Sequence, residues 1–273
     1  MTSLDSLLRP QRLLALAGAL LAAAALACGG GGKDSGTPGQ SSTESPIFTP
    51  GRGQEAGVPP EVEDELRNIL KQWGTRDARI AYRINTVSAG VEEQADLLFQ
   101  WRPSLRQWRM DISVAGGESG SIINDGGALY LCDDAEHVCL KFREEESPVA
   151  PLPFVDDSQA LADPSLVADS VLGRLREGRT QVSSRTIANL SARCFTSTGV
   201  GRGVLEKLEV CFAVETALLL RAEALAPAQG GQQDRSLFEA TQVGSDVASD
   251  AFRPPYEVVD TTTPEAEGTP QGS

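Results

Sequence analysis

The chain holds a single histidine, His137, among 273 residues, so a zinc centre built on three imidazoles cannot be assembled within one copy. Basic residues are scarce as well. The 24 Lys and Arg stand against 38 Asp and Glu, a net charge of −14, and a surface of that sign has little with which to displace counterions from phosphates. Nucleic acid is therefore not an expected partner. No apolar run reaches the roughly 20 residues that a bilayer span needs. The motifs of common catalytic machinery are missing too: no Walker lysine, no G-x-S-x-G elbow and no H-E-x-x-H stretch. A Ser-His-Asp triad would have to use His137, which stands between Cys132 and Cys139. The sequence therefore predicts a protein that is not an enzyme and needs no cofactor or metal.

What is present begins with an address. Arg9 and Arg12 precede a Leu/Ala run over 13–27, and small residues lead up to Cys28, the layout of a secretory signal. Ala25-Leu26-Ala27-Cys28, followed by four glycines, resembles a bacterial lipobox, which implies that Cys28 takes a diacylglyceryl group and becomes the mature N-terminus. The departure is Ala25, where lipoboxes prefer leucine. An anchor of two acyl chains holds a protein at a membrane without a spanning helix. Removal of 1–27 takes Asp5, Arg9 and Arg12, leaving 22 basic and 37 acidic residues. Residues 28–60 are Gly, Ser, Thr, Pro and charge, with Ile47 and Phe48 as their large apolar side chains, and read as a flexible tether with a reach of roughly 30 Å. The expected layout is a signal peptide over 1–27, a lipidated tether over 28–60, a folded domain over 61–258 and a disordered tail over 259–273.

Within the domain, Leu66, Ile69, Leu70 and Trp73 fall at i, i+3, i+4 and i+7 after Pro59-Pro60, one stripe of a helix that Gly74 ends. Asp163-Pro164 opens a second helix, an N-cap with proline behind it, which continues through Leu166, Val167, Val171 and Leu175 to Gly178. Strict alternation in Ile80/Tyr82/Ile84, Leu97/Phe99/Trp101 and Trp108/Met110/Ile112 marks strands with one buried face. Further strands are expected over 120–123, 128–132, 139–143, 186–195, 205–214, 217–224 and 236–243, with Asn124-Asp125-Gly126-Gly127 as a turn. About ten short strands joined mostly by short loops imply an antiparallel meander rather than βαβ units. The expected fold class is α+β, mainly β: a curved antiparallel sheet, an open half-barrel, with helices covering its concave face.

Four cysteines remain besides Cys28, an even number in an exported chain, which reads as a disulfide framework. Three pairings exist. Cys132 and Cys139 flank an expected hairpin turn and Cys194 and Cys211 lie on consecutive strands, so the expected bridges are 132–139 and 194–211. The competing reading, a metal site of Cys132, His137 and Cys139 with Asp133, Asp134 and Glu136 between them, lacks the paired spacing of a zinc knuckle; His137 reads as a solvated turn residue. Gly199-Val200-Gly201-Arg202-Gly203 lacks a following helix that would present its N-terminus to a phosphate and reads as a hairpin loop. The adjacent acids Asp156-Asp157 read as a solvated edge.

The order of elements, with Trp108-Arg109-Met110-Asp111-Ile112, Ser121-Ile122-Ile123-Asn124-Asp125-Gly126 and the closing Phe252-Arg253-Pro254-Pro255-Tyr256, resembles the lipoprotein-carrier superfamily of LolA, LppX and LprG over residues 62–257. That resemblance implies an open half-barrel whose cavity takes acyl chains of lipids or lipoproteins, in a chain anchored to the outer face of the bacterial cell membrane through Cys28. It implies cavity residues Leu97, Phe99, Trp101, Trp108, Met110 and Ile112, with 164–176 as a lid that contributes Leu166, Val167 and Val171. The alternative is an envelope sensor or scaffold that uses the same fold to hold a protein partner, as the similar RseB proteins do.

Overall fold

The computed structural model describes residues 57–143, 160–228 and 232–261. The expected signal peptide, Cys28, most of the tether and Asp156-Asp157 lie outside them. The elements run α1 (Pro60–Leu70), β1 (Ala78–Ser88), β2 (Val91–Arg102), β3 (Gln107–Val114), β4 (Ser119–Asn124), β5 (Leu129–Asp133), β6 (Val138–Phe142), α2 (Pro164–Leu175), β7 (Arg179–Ile187), β8 (Leu190–Val200), β9 (Leu205–Ala213), β10 (Leu219–Leu225), β11 (Arg235–Gly244) and β12 (Glu257–Asp260). All twelve strands belong to one sheet in the order β12-β6-β5-β4-β3-β2-β1-β11-β10-β9-β8-β7. The outermost strands, β12 and β7, do not pair with each other, so the curved sheet stays open. Every ladder is antiparallel except β12 on β6.

The register shows why one face is apolar. Trp101 stands opposite Trp108, Phe99 opposite Met110 and Leu97 opposite Ile112, while Ile80 faces Phe99 and Tyr82 faces Leu97. Because side chains alternate, these residues line one inner face. They are buried in a single core with Leu66, Leu70 and Trp73 of the α1 segment and Val167, Val171, Leu172 and Leu175 of α2. Burial of each such side chain contributes roughly 1.5–3 kcal/mol. The helix starts are also local chemistry: Pro60 begins α1 with Glu61 and Glu63 in its first turn, and the Asp163 carboxylate accepts the Ser165 N–H at 2.8 Å. Gly74, at φ +70°, makes the turn that brings the chain back against the Trp101 ring, which would lie 3.4 Å from an added Cβ.

Three expectations need correction. The sheet has twelve strands rather than about ten. The single strand expected over 186–195 is the hairpin β7–β8, whose turn residues Ala188 and Asn189 have φ of +48° and +64°, the two-residue turn with positive φ at both centres that suits strand twist. The tail expected from 259 instead begins as strand: Val259 and Asp260 pair with Leu140 and Lys141. At the other boundary, Gly57 already donates its N–H to Gly178 O at 2.9 Å.

The outer face carries a second, smaller core in which Ile123, Cys132, Cys139 and Phe252 are buried, with Tyr130, Val247, Ala251 and Tyr256 against them. The segment 245–256 crosses this face as a strap. Arg102 donates to Val247 O and sits over the Phe252 ring, Arg109 donates to Ala251 O at 2.9 Å, and Tyr256 donates to Asp134 at 3.0 Å. The strap delivers β12 to the sheet edge beside β6. Edge strands are a liability when left long and bare; β6 is not left so.

Candidate functional site

The candidate site is the inner face of β1–β4 and the two helices over it. The structure brings Leu97, Phe99, Trp101, Trp108, Met110 and Ile112 together, all buried in one core, and places Val167 and Val171 of α2 in that core too. Leu166 does not join them. It is 49% exposed, because a helix turns about 100° per residue and the residue before Val167 faces outward.

Trp73, just beyond α1, is the link between lid and sheet. Its ring centroid lies 5.2 Å from that of Trp101 and 6.5 Å, edge-on, from Phe212 of β9. Its indole N–H donates to Leu161 O at 2.9 Å. Tyr82 stacks on Phe238 at 4.1 Å and donates its hydroxyl to Leu219 O at 2.7 Å, and burial pushes its pKa up. Ser197 donates to Leu175 O. These polar atoms have partners. Trp108 Nε1, in the same interior, has none.

The rim of the lid is ionic. Glu63 of α1 accepts from Arg67 at 3.0 Å and from Arg176 beyond α2 at 2.6 Å, while Arg67 also reaches Asp169 of α2 at 2.8 Å. The Arg176 hydrogen bond, helped by Arg67, holds the Glu63 carboxyl below its usual range. Arg193 of β8 reaches Glu65 of α1 at 2.6 Å. The two helices therefore meet each other and the sheet through apolar faces below and partly exposed ion pairs above.

Sequence reasoning missed the outer face of β7–β11. There Glu209 and Glu223 have side chains 1% and 6% exposed. Glu209 accepts from Arg221 at 2.9 Å, Arg185 at 3.2 Å and Thr196 at 3.2 Å. Glu223 accepts from Lys207 at 2.8 Å and Arg235 at 2.8 Å. Arg221 also pairs with Glu239. Burial alone would raise both carboxyls, but the Lys207 hydrogen bond and the neighbouring guanidinium groups outweigh it, leaving Glu209 lowered and Glu223 at about 2. The signal was in the sequence: Lys207/Glu209, Arg221/Glu223 and Arg235/Glu239 are same-face spacings on adjacent strands. This array braces the sheet.

The bridges are Cys132–Cys139 and Cys194–Cys211. They join residues directly opposite each other in the β5–β6 and β8–β9 ladders. Cys132 and Cys139 thus offer no thiolates to a metal, and among the described residues no group of three or more His, Cys, Asp or Glu side chains is arranged to hold one. His137 is an exposed turn residue at φ +53°, its ring 5.0 Å from that of Tyr256. Gly199 and Val200 end β8, and Gly201–Gly203 forms a single 3-10 turn from which the chain passes into β9. Among the described residues no helix is long and apolar enough to cross a membrane.

No family model matches this chain and no curated protein matches it. Solved structures similar to it include a conserved protein from Thermus thermophilus, at 8% identity and a TM-score of 0.43, covering 73% of this chain and 99% of that one. A second is the MucA/MucB complex of Pseudomonas aeruginosa, at 14% identity and a TM-score of 0.41, covering 70% of this chain and 60% of that one. A third is a LolA superfamily protein from Nitrosomonas europaea, at 11% identity and a TM-score of 0.32, covering 68% and 96%. The chain thus spans about three fifths of the matched MucA/MucB chain. The functional reading rests on this chain's own residues.

Proposed function

We propose that this chain is a membrane-anchored, non-enzymatic lipoprotein that binds acyl chains of lipids or lipoproteins between the sheet and the helices. The observation that carries the reading is the separation of contacts just described. The inner face is a continuous apolar band across β1–β4, and the helices over it add to their buried apolar contacts only partly exposed ion pairs at the rim, which hold weakly. An apolar surface under a cover whose ionic ties at the rim are weak suits a ligand of hydrocarbon. Cys28, as a diacylglyceryl site, would keep the domain within its tether's reach of the membrane at the outer face of the cell.

The test is export of the full chain carrying Cys28→Ala, in which Ala25-Leu26-Ala27 still offers the small-residue pattern of ordinary signal cleavage. Native mass spectrometry of the purified protein should show a near-stoichiometric lipid, identified after organic extraction. An empty protein that also takes up no fluorescent fatty acid would refute the reading.

The second reading, a sensor or scaffold that holds a protein partner, draws on the closed state of the interior, in which the cavity candidates are packed rather than open. It would call for an apolar docking patch outside. The large exposed apolar residues of the described chain are instead dispersed: Val91 heads β2, Leu105, Val204 and Val214 lie in turns, Leu166 is on α2, and Val258 and Val259 are on the edge strand β12.

A further inference from the structure

Resting on the acyl-binding reading above, we infer that the ligand carries a carbonyl oxygen that accepts a hydrogen bond from the Trp108 indole N–H, so that the site takes an ester- or amide-linked acyl chain in preference to bare hydrocarbon. A buried N–H without an acceptor is disfavoured, and native interiors rarely keep one without a use. Trp108 is such a case: it is buried on the inner face, and its Nε1 has no partner. The same interior supplies carbonyl acceptors to Trp73 and Tyr82, so its chemistry does not neglect polar atoms in general.

The position matters as much as the missing partner. Trp108 lies at the start of β3, opposite Trp101 on one side and Asn124 on the other, where the apolar band of Met110 and Ile112 ends. Hydrocarbon lying along that band brings its terminal carbonyl to the band's end. A hydroxyl or charged headgroup is not needed for this contact; the shared chemistry is the acyl carbonyl, whether it belongs to a free glycerolipid or to the lipid of another lipoprotein.

The experiment uses the exported Cys28→Ala chain labelled at its three tryptophans, with methyl palmitate and hexadecane as probes. Methyl palmitate should move one indole N–H resonance downfield, and hexadecane should not. Trp73→Phe and Trp101→Phe assign the resonance by elimination, so it is read in a chain that retains Trp108. Trp108→Phe should lower the affinity for methyl palmitate relative to that for hexadecane about five- to tenfold, the scale of one neutral hydrogen bond. Two probes that bind with equal strength to both chains, with no indole shift, would overturn the inference while leaving the acyl-binding reading intact. Failure of both probes to bind would overturn that reading and this inference with it. Competition by dipalmitoylglycerol against a peptide bearing S-dipalmitoylglyceryl cysteine then separates free lipid from lipoprotein as the source.

Discussion

Trp73 and Trp101 meet at 5.2 Å between ring centroids with their planes tilted by 52°, a contact that joins the end of α1 to the inner face of β2. Because Trp73 also donates to Leu161 O just before α2, one side chain ties sheet, first helix and the approach to the second. Trp73→Ala should cost about 3–5 kcal/mol, as for other buried large aromatics, and Trp73→Phe about 1 kcal/mol for the lost hydrogen bond. Urea unfolding followed by near-ultraviolet circular dichroism checks both. An alanine variant as stable as the parent would show that the lid is anchored elsewhere.

Glu209 and Glu223 make stability depend on pH in a stated direction. Both carboxyls lie below the ordinary value of 4.5, Glu223 at about 2. A carboxyl whose folded pKa is depressed stabilises the fold above its unfolded pKa and loses that contribution as pH falls through the folded one. The urea midpoint should therefore be flat with respect to these groups above about pH 5 and fall between about pH 4.5 and 2. Glu223→Gln should lower stability near neutrality by about 3 kcal/mol, the low end for breaking a buried pair, and flatten the acid limb. A variant with the same acid limb as the parent would remove Glu223 from the cause.

The residues that were legible in the sequence are those whose burial is written by period: Leu97/Phe99/Trp101 and Trp108/Met110/Ile112 alternate, and the structure puts them on one face. The Cys194–Cys211 pair followed from strand neighbourhood. β7 was not legible because it is an edge strand: between Thr180 and Thr186 only Val182 is apolar, too little to write a period, and the pairing with β8 makes it a strand. The paired glutamates were missed for a related reason. A charge on the solvent side of a strand looks the same whether it faces water or a neighbouring strand's arginine, and the partners come from residues 12 to 24 positions away. The strap escaped because its apolar residues, Val247, Ala251, Phe252 and Tyr256, follow no period; what fixes them is a surface assembled from β2 to β6.

If the helices form a cover, weakening its rim should speed ligand entry without unfolding the sheet. Glu63 bridges Arg67 and Arg176, and Arg67 holds Asp169, so Glu63→Gln with Asp169→Asn removes the carboxylates from these pairs and leaves Arg67 and Arg176 without them. Exposed pairs add little to stability; the melting midpoint should stay close to that of the parent. Uptake of a fluorescent fatty acid should become several-fold faster, and the parent's rate should rise in high salt, which screens the same pairs. Equal rates in parent and variant at every salt concentration would mean that entry does not pass between these helices.

Phe252 offers a test of the outer core that leaves the inner one untouched. Its ring is buried with Ile123 and the Cys132–Cys139 bridge, under the Arg102 guanidinium 5.3 Å from its centroid, and the chain beyond it supplies β12. Phe252→Ala should cost about 3 kcal/mol through the cavity it leaves, and most of that loss should appear locally, because the inner core shares none of these side chains. Amide hydrogen exchange of Val258 to Asp260, and of the β6 residues paired with them, should rise sharply, while the amides of β1 and β2 keep their protection. The strap should at the same time become a site of proteolysis near Pro254-Pro255. Uniform loss of protection across all twelve strands would mean instead that the two cores unfold as one unit and that the strap is part of the domain's main cooperative structure rather than a cover on its edge.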